Sequence, residues 1–144
     1  MSALQPDAET VMAVRQATGL AVMEAKELIQ TSPELAQRVL DGHKVRFITR
    51  LAKLPVELRE KILEASDSQR DEHFLCDPIE SDPVVGATIR ETLERVGCEL
   101  ETARGRYQMG LCHSIWRTAQ SELLQKHGIV WYTPAQMNPG ACFD

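Results

Sequence analysis

Ala13-Val14-Arg15-Gln16-Ala17-Thr18-Gly19-Leu20-Ala21-Val22-Met23-Glu24-Ala25-Lys26-Glu27-Leu28 decides how the first third of the chain folds. Val11, Val14 and the Ala17/Thr18 pair recur at helical spacing, and Gly19 suits the left-handed position that follows a helix. The stretch therefore reads as a helix, a tight glycine turn and a second helix over residues 22–30, burying Val22, Ala25, Leu28 and Ile29. Working outward, Pro6 opens the first helix, and Asp7 and Glu9 complement the positive end of its dipole. Ser32-Pro33 then repeats the pattern of a cap followed by a first-turn proline, predicting a third helix with Leu35, Val39 and Leu40 inward.

The 144 residues suit one domain or two small halves packed together. A hydrophobic fraction of 43% and a charged fraction of 26% are those of an ordinary globular protein. No apolar run approaches the roughly 20 residues that span a bilayer, so no membrane partner is expected. The N-terminal residues lack the basic, apolar and small-residue layout of a signal peptide, which makes the cytoplasm the expected compartment. The formal net charge of −5 is uneven: residues 1–65 hold nine Lys/Arg against nine Asp/Glu, leaving seven against twelve beyond. Such a balance argues against general nucleic-acid affinity, because phosphate attraction needs a basic surface.

Further along, residues 43–54 fit two periods. Val45, Phe47, Thr49 and Leu51 alternate as in a strand, whereas Val45, Ile48 and Ala52 have helical spacing; the helical flanks favour a helix. Pro55 opens a fifth helix over residues 56–65. Residues 66–82 carry six acids, one arginine and one proline without a sustained period, and read as an acidic loop or linker. Asp82-Pro83 starts another helix with Val85, Ile89, Leu93 and Val96 inward, ending at Gly97; residues 98–102 then read as a short strand or a helical continuation. The best amphipathic pattern runs from Tyr107 to His127, followed by an aromatic tail that docks on the core. The expected architecture is mainly α: an N-terminal helical region (1–65), the acidic loop (66–82) and a C-terminal helical region with docked tail (83–144), together one compact unit.

Ala13-Val14-Arg15, Ala17-Thr18-Gly19-Leu20, Glu24-Ala25-Lys26 and Leu28 resemble the helix-turn-helix of the C-terminal domain of the bacterial ribosomal stalk protein, with Pro33 near a proline of that family. The likeness covers residues 11–33, and Leu93-Glu94, Gly97 and Glu99-Leu100-Glu101 are loosely similar to the family's last helix and strand. In that family the helix pair contacts translational GTPases, and Val11, Arg15 and Lys26 match positions implicated in the contact. Met12 departs from a position usually basic there, and the family's first strand has no counterpart. The same segment is more distantly similar to the ubiquitin-associated-type module of elongation factor Ts, with residues 32–40 as its third helix. Both likenesses imply a protein-facing role.

Four constellations carry candidate chemistry. On a helical reading of 43–53, His43, Arg46, Arg50 and Lys53 fall at i, i+3, i+7 and i+10, a basic patch able to meet an acidic partner or a phosphate backbone. His73, Cys76, Cys112 and His113 offer the nitrogen and sulfur ligands zinc takes, but neighbouring Cys112 and His113 face different sides of a helix, so no metal and no cofactor are assigned. None of the GxSxG, GxxxxGK[ST], HExxH or GxGxxG motifs occurs, and no catalytic residue is assigned; a cysteine–histidine pair is the remaining enzymatic alternative. Each cysteine reads as a buried structural thiol. Trp116, Trp131, Tyr132 and Phe143 fill a core or form a binding patch. The leading expectation is an adaptor that binds a protein through its N-terminal helix pair, with Val11, Arg15 and Lys26 as the contact residues. The alternatives are nucleic-acid binding through the basic patch and a cysteine- or metal-dependent enzyme.

Overall fold

A computed structural model describes residues 4–43, 45–70, 72–105 and 109–143. The protein is mainly α-helical, with no strand among the described residues. Its contacts divide it into two units, Met1–Ser68 and Gln69–Asp144.

In the N-terminal unit, α1 (Ala8–Thr18), α2 (Val22–Thr31) and α3 (Pro33–Leu40) pack against one another. Asp7, one residue beyond Pro6, is the N-cap of α1: its carboxylate accepts from the Thr10 N–H at 2.8 Å. Gly19 ends α1 at φ 77°, a conformation only glycine adopts at little cost. Arg15 then bridges the turn, its Nε donating to the Leu20 carbonyl at 3.2 Å. Val14, Ala25, Ile29, Leu35 and Ala36 are almost fully buried between the three helices. Each large aliphatic side chain buried here contributes about 1.5–3 kcal/mol relative to exposure. Val22, expected inside, is exposed at the start of α2.

Residues 43–54 do not form the continuous helix that their flanks suggested. Phe47 takes φ 60°, which breaks the helical path, and among the described residues of this stretch only α4 (Ile48–Leu51) is helical. The fifth helix, α5 (Val56–Ser68), runs three residues past its expected end. It is tied to α3 by Arg38–Asp67 at 2.7 Å and Arg59–Glu34 at 3.7 Å.

In the C-terminal unit, a 3-10 turn (Pro78–Ser81) leads into α6 (Pro83–Arg104), followed by α7 (Leu111–His127) and the short α8 (Pro134–Met137). Asp82 caps α6 by accepting from the Val84 and Val85 N–H groups. The helix does not stop at Gly97, and the strand considered at 98–102 is helical. Glu99 pairs with Arg95 one turn earlier, and the Thr102 hydroxyl donates to the Cys98 carbonyl at 2.8 Å, so local contacts favour helical continuation. α7 begins at Leu111, after Gly110 at φ 77°; the expected start at Tyr107 lies outside the described residues. Ile89, Val96, Ala119, Leu123 and Trp131 form the core between α6, α7 and the tail.

Residues 66–82, expected as an acidic loop, are more ordered than their composition suggests. The first three belong to α5, and Leu75 and Asp77 are each 1% exposed. The acids have structural tasks. Asp67 pairs with Arg38, Asp77 Oδ2 accepts the Tyr132 N–H at 2.9 Å, and Glu80 accepts the Trp131 indole N–H at 3.0 Å. Asp71 lies outside the described residues.

Candidate functional site

The N-terminal helix pair presents both a groove and an apolar surface. Between α2 and α4 lies a groove of about 320 Å³, lined by Leu20, Leu28, Ile48 and Ala52, with Glu24, Glu27 and Lys53 among its charged side chains. The surrounding geometry explains why it stays open. Phe47 turns the chain into α4 for a single helical turn, so Ile48 and Ala52 stand beside α2 instead of extending a longer helix. Glu24 also accepts the Ala21 N–H at 3.3 Å, anchoring the start of α2 and one end of the groove. On the same hairpin Met12 is 49% exposed and Met23 is 75% exposed. Methionine is adaptable and enriched at protein-binding surfaces.

The three residues singled out by the stalk-protein likeness do not share one exposed face. Val11 is 4% exposed and belongs to the core, packed inward with Val14, so it presents no contact surface. Its helical spacing with Val14 carried that signal in the sequence. Arg15 is half-buried and turned toward the hairpin, with Leu20 O and the Met12 sulfur, at 3.8 Å, as its neighbours. Lys26 is exposed on α2. The sequence reading missed Met12, Met23, Ile48 and Ala52. An apolar residue off the buried stripe was the available sign for the two methionines; none pointed to the groove residues, which meet through tertiary packing.

The basic patch is not one helical face, because His43 and Arg46 precede α4 and Phe47 breaks the spacing. His43 Nδ1 lies 3.6 Å from Asp67, and the Arg46 guanidinium sits 5.3 Å from the centre of the Phe47 ring. Arg50 and Lys53 are exposed, and Lys53 lines the groove instead of a basic stripe.

In the C-terminal unit the histidine and cysteine residues considered as zinc ligands do not form one cluster among the described residues. His113 Nε2 lies 2.9 Å from the Phe143 carbonyl oxygen, within a ring cluster of Phe74, His113, Trp116 and Phe143. The backbone of Cys76 is held on both sides by the Gln69 side chain, at 2.8 and 2.9 Å. Among the described residues, no group of three His, Cys, Asp or Glu side chains gathers to hold a metal ion. None of the four cysteines is in a disulfide and none is buried: Cys76, Cys98 and Cys142 are exposed and Cys112 is half-buried, contrary to the expectation of core thiols. Small side chains at those positions project from helix surfaces and loops, where burial was not required. Although Cys76 is exposed as a residue, partial desolvation of its sulfur, reinforced by the Glu80 charge, raises its pKa and favours the unreactive thiol. Trp131 is a core residue, whereas Trp116, Tyr132 and Phe143 are half-buried.

No family model matches the chain, and no significant match is found among curated proteins or solved structures. No helix is long and apolar enough to cross a membrane, among the described residues.

Proposed function

We propose that this chain is a non-enzymatic protein-interaction module that binds a partner protein along its N-terminal helix pair. The observation that carries the reading is the α2/α4 groove, with Leu20, Leu28, Ile48 and Ala52 in its lining, on a hairpin that also exposes Met12 and Met23. Apolar surface of this kind, rimmed by charge, is a common mark of a protein-binding site. The likeness of residues 11–33 to the stalk protein's helix pair supports a protein-facing role for this hairpin, and makes a translational GTPase the first partner to test. The absence of a disulfide among the four cysteines is compatible with a reducing compartment such as the cytoplasm.

Site-specific photo-crosslinking in the native host tests the reading. A crosslinker at Met23 or Ala52 should trap the same protein, while one at Glu60, exposed on α5, should not. The Ala52→Glu variant should abolish the Met23 adduct while retaining helical circular dichroism. An adduct pattern that is the same at all three positions would overturn the proposal.

A further inference from the structure

The outer face of α7 holds a second, chemically different groove. It measures about 560 Å³ and is lined by Arg104, Ser114, Arg117, Thr118, Ser121 and Lys126, among others. Ser114, Arg117, Thr118 and Ser121 follow one another in steps of three, one and three residues, which places them on one side of the helix. Arg104, at the end of α6, donates from Nη1 to the Ser114 hydroxyl at 3.1 Å, so its guanidinium is held against the start of that face. Glu122 also lines the groove, but its carboxylate is already paired with Arg95 and with Lys126. Neither Arg104 nor Arg117 pairs with a carboxylate among the described residues. Two arginines and three hydroxyl-bearing residues thus line one open groove, in the half of the chain that carries the excess of acid.

We infer that this face is a binding site for a phosphate monoester. The planar guanidinium fork matches two phosphate oxygens, and two such groups can balance the dianionic charge that a monoester carries near neutral pH. The Ser114, Thr118 and Ser121 hydroxyls supply donors to the remaining oxygen edge. The groove is open to solvent and larger than a phosphate, leaving room for the ester's organic part. Arg117 also lines the adjoining groove that contains Leu124, Ile129 and Val130, where an apolar ester group can lie.

The test is an amide NMR titration of the full chain with phenyl phosphate, against chloride at matched ionic strength. Saturable shifts centred on residues 114–121 are expected with phenyl phosphate and not with chloride. Arg117→Ala and Arg104→Ala should each weaken binding by about tenfold or more, the loss of a charge-assisted hydrogen bond. Arg50→Ala, in the other unit, should leave it unchanged. Both arginines are exposed, so unchanged urea midpoints are expected in all three variants. Shifts that fail to saturate, that follow ionic strength alone, or that survive Arg117→Ala undiminished would overturn the assignment.

Discussion

Asn138 and Leu75 exchange a pair of hydrogen bonds across 63 residues of chain: the Leu75 N–H donates to Asn138 Oδ1, and Asn138 Nδ2 donates to the Leu75 carbonyl, both at 2.8 Å. Asn138 is fully buried, and its amide also donates to the Pro134 carbonyl at 2.9 Å. One side chain thereby satisfies both backbone groups of a buried leucine, as a neighbouring strand would. Asn138→Ala should therefore destabilise the C-terminal unit by roughly 2–4 kcal/mol, since it strands a buried donor and acceptor together. Asn138→Asp keeps the acceptor and loses both donations, and should also lower the urea unfolding midpoint. A midpoint unchanged in Asn138→Ala would show that the pair contributes nothing net.

Two helical glycines in α6 should respond oppositely to the same substitution. A Cβ on Gly86 would lie 2.3 Å from the Glu80 carbonyl oxygen, so Gly86→Ala must push the 3-10 turn away from α6 and lower the melting temperature. A Cβ on Gly97 meets only the Ile115 Cδ1 at 3.8 Å, an ordinary contact. Gly97→Ala should stabilise by up to about 1 kcal/mol through helix propensity. Thermal unfolding of the two variants beside the parent chain checks both signs.

Glu80 supplies a pH dependence of definite sign. Desolvation is the main cause raising its carboxyl pKa, the Asp77 charge adds to it, and the Trp131 indole and Arg90 oppose the shift in part. A carboxyl raised in the folded state contributes stability that is fully present below its unfolded pKa and is lost as pH rises through the folded value. Glu80→Gln retains an acceptor for the indole and removes the buried charge. Its urea midpoint relative to the parent should therefore be more favourable at pH 7 than at pH 3. A constant difference across that range would contradict the desolvation argument.

Native thiol labelling should order the cysteines by exposure and acidity. Cys98 and Cys142 are exposed, Cys112 is half-buried, and the Cys76 pKa is raised. Maleimide labelling near neutral pH, read by peptide mass spectrometry, should modify Cys98 and Cys142 before Cys76 and Cys112. Faster labelling of Cys76 would mean an activated thiolate and would reopen the enzymatic alternative.

What could be read in the sequence was local. Gly19 and Gly128 at positive φ, and proline in the first turn of α3 and α6, mark helix ends through backbone preferences that need no distant partner. Phe47 misled because a bulky aromatic carries no sign of a left-handed backbone. Gly97 misled for the converse reason: it sits inside a helix, although its composition signals an end. The acids of 77–80 looked like solvated charge because their partners, Trp131 and Tyr132, lie more than fifty residues away. The candidate groove was legible only through its α2 side and Lys53, since Ile48 and Ala52 reach it by way of the Phe47 turn.

The Leu75–Asn138 exchange also sets an order of events during synthesis. Until residues 131–138 have emerged, Leu75, Asp77 and Glu80 lack the groups that satisfy or cover them, and the α6–α7 core lacks Trp131. In the first unit, the helices α1, α2 and α3 that pack on one another all lie within residues 8–40, so their mutual packing can form while the remainder is still being made. The second half must instead wait, with part of its apolar surface open to water, for a segment made more than fifty residues after the one it secures. Slow translation of residues 83–128 would lengthen that exposure, and chaperone engagement of nascent chains should be greatest over that interval.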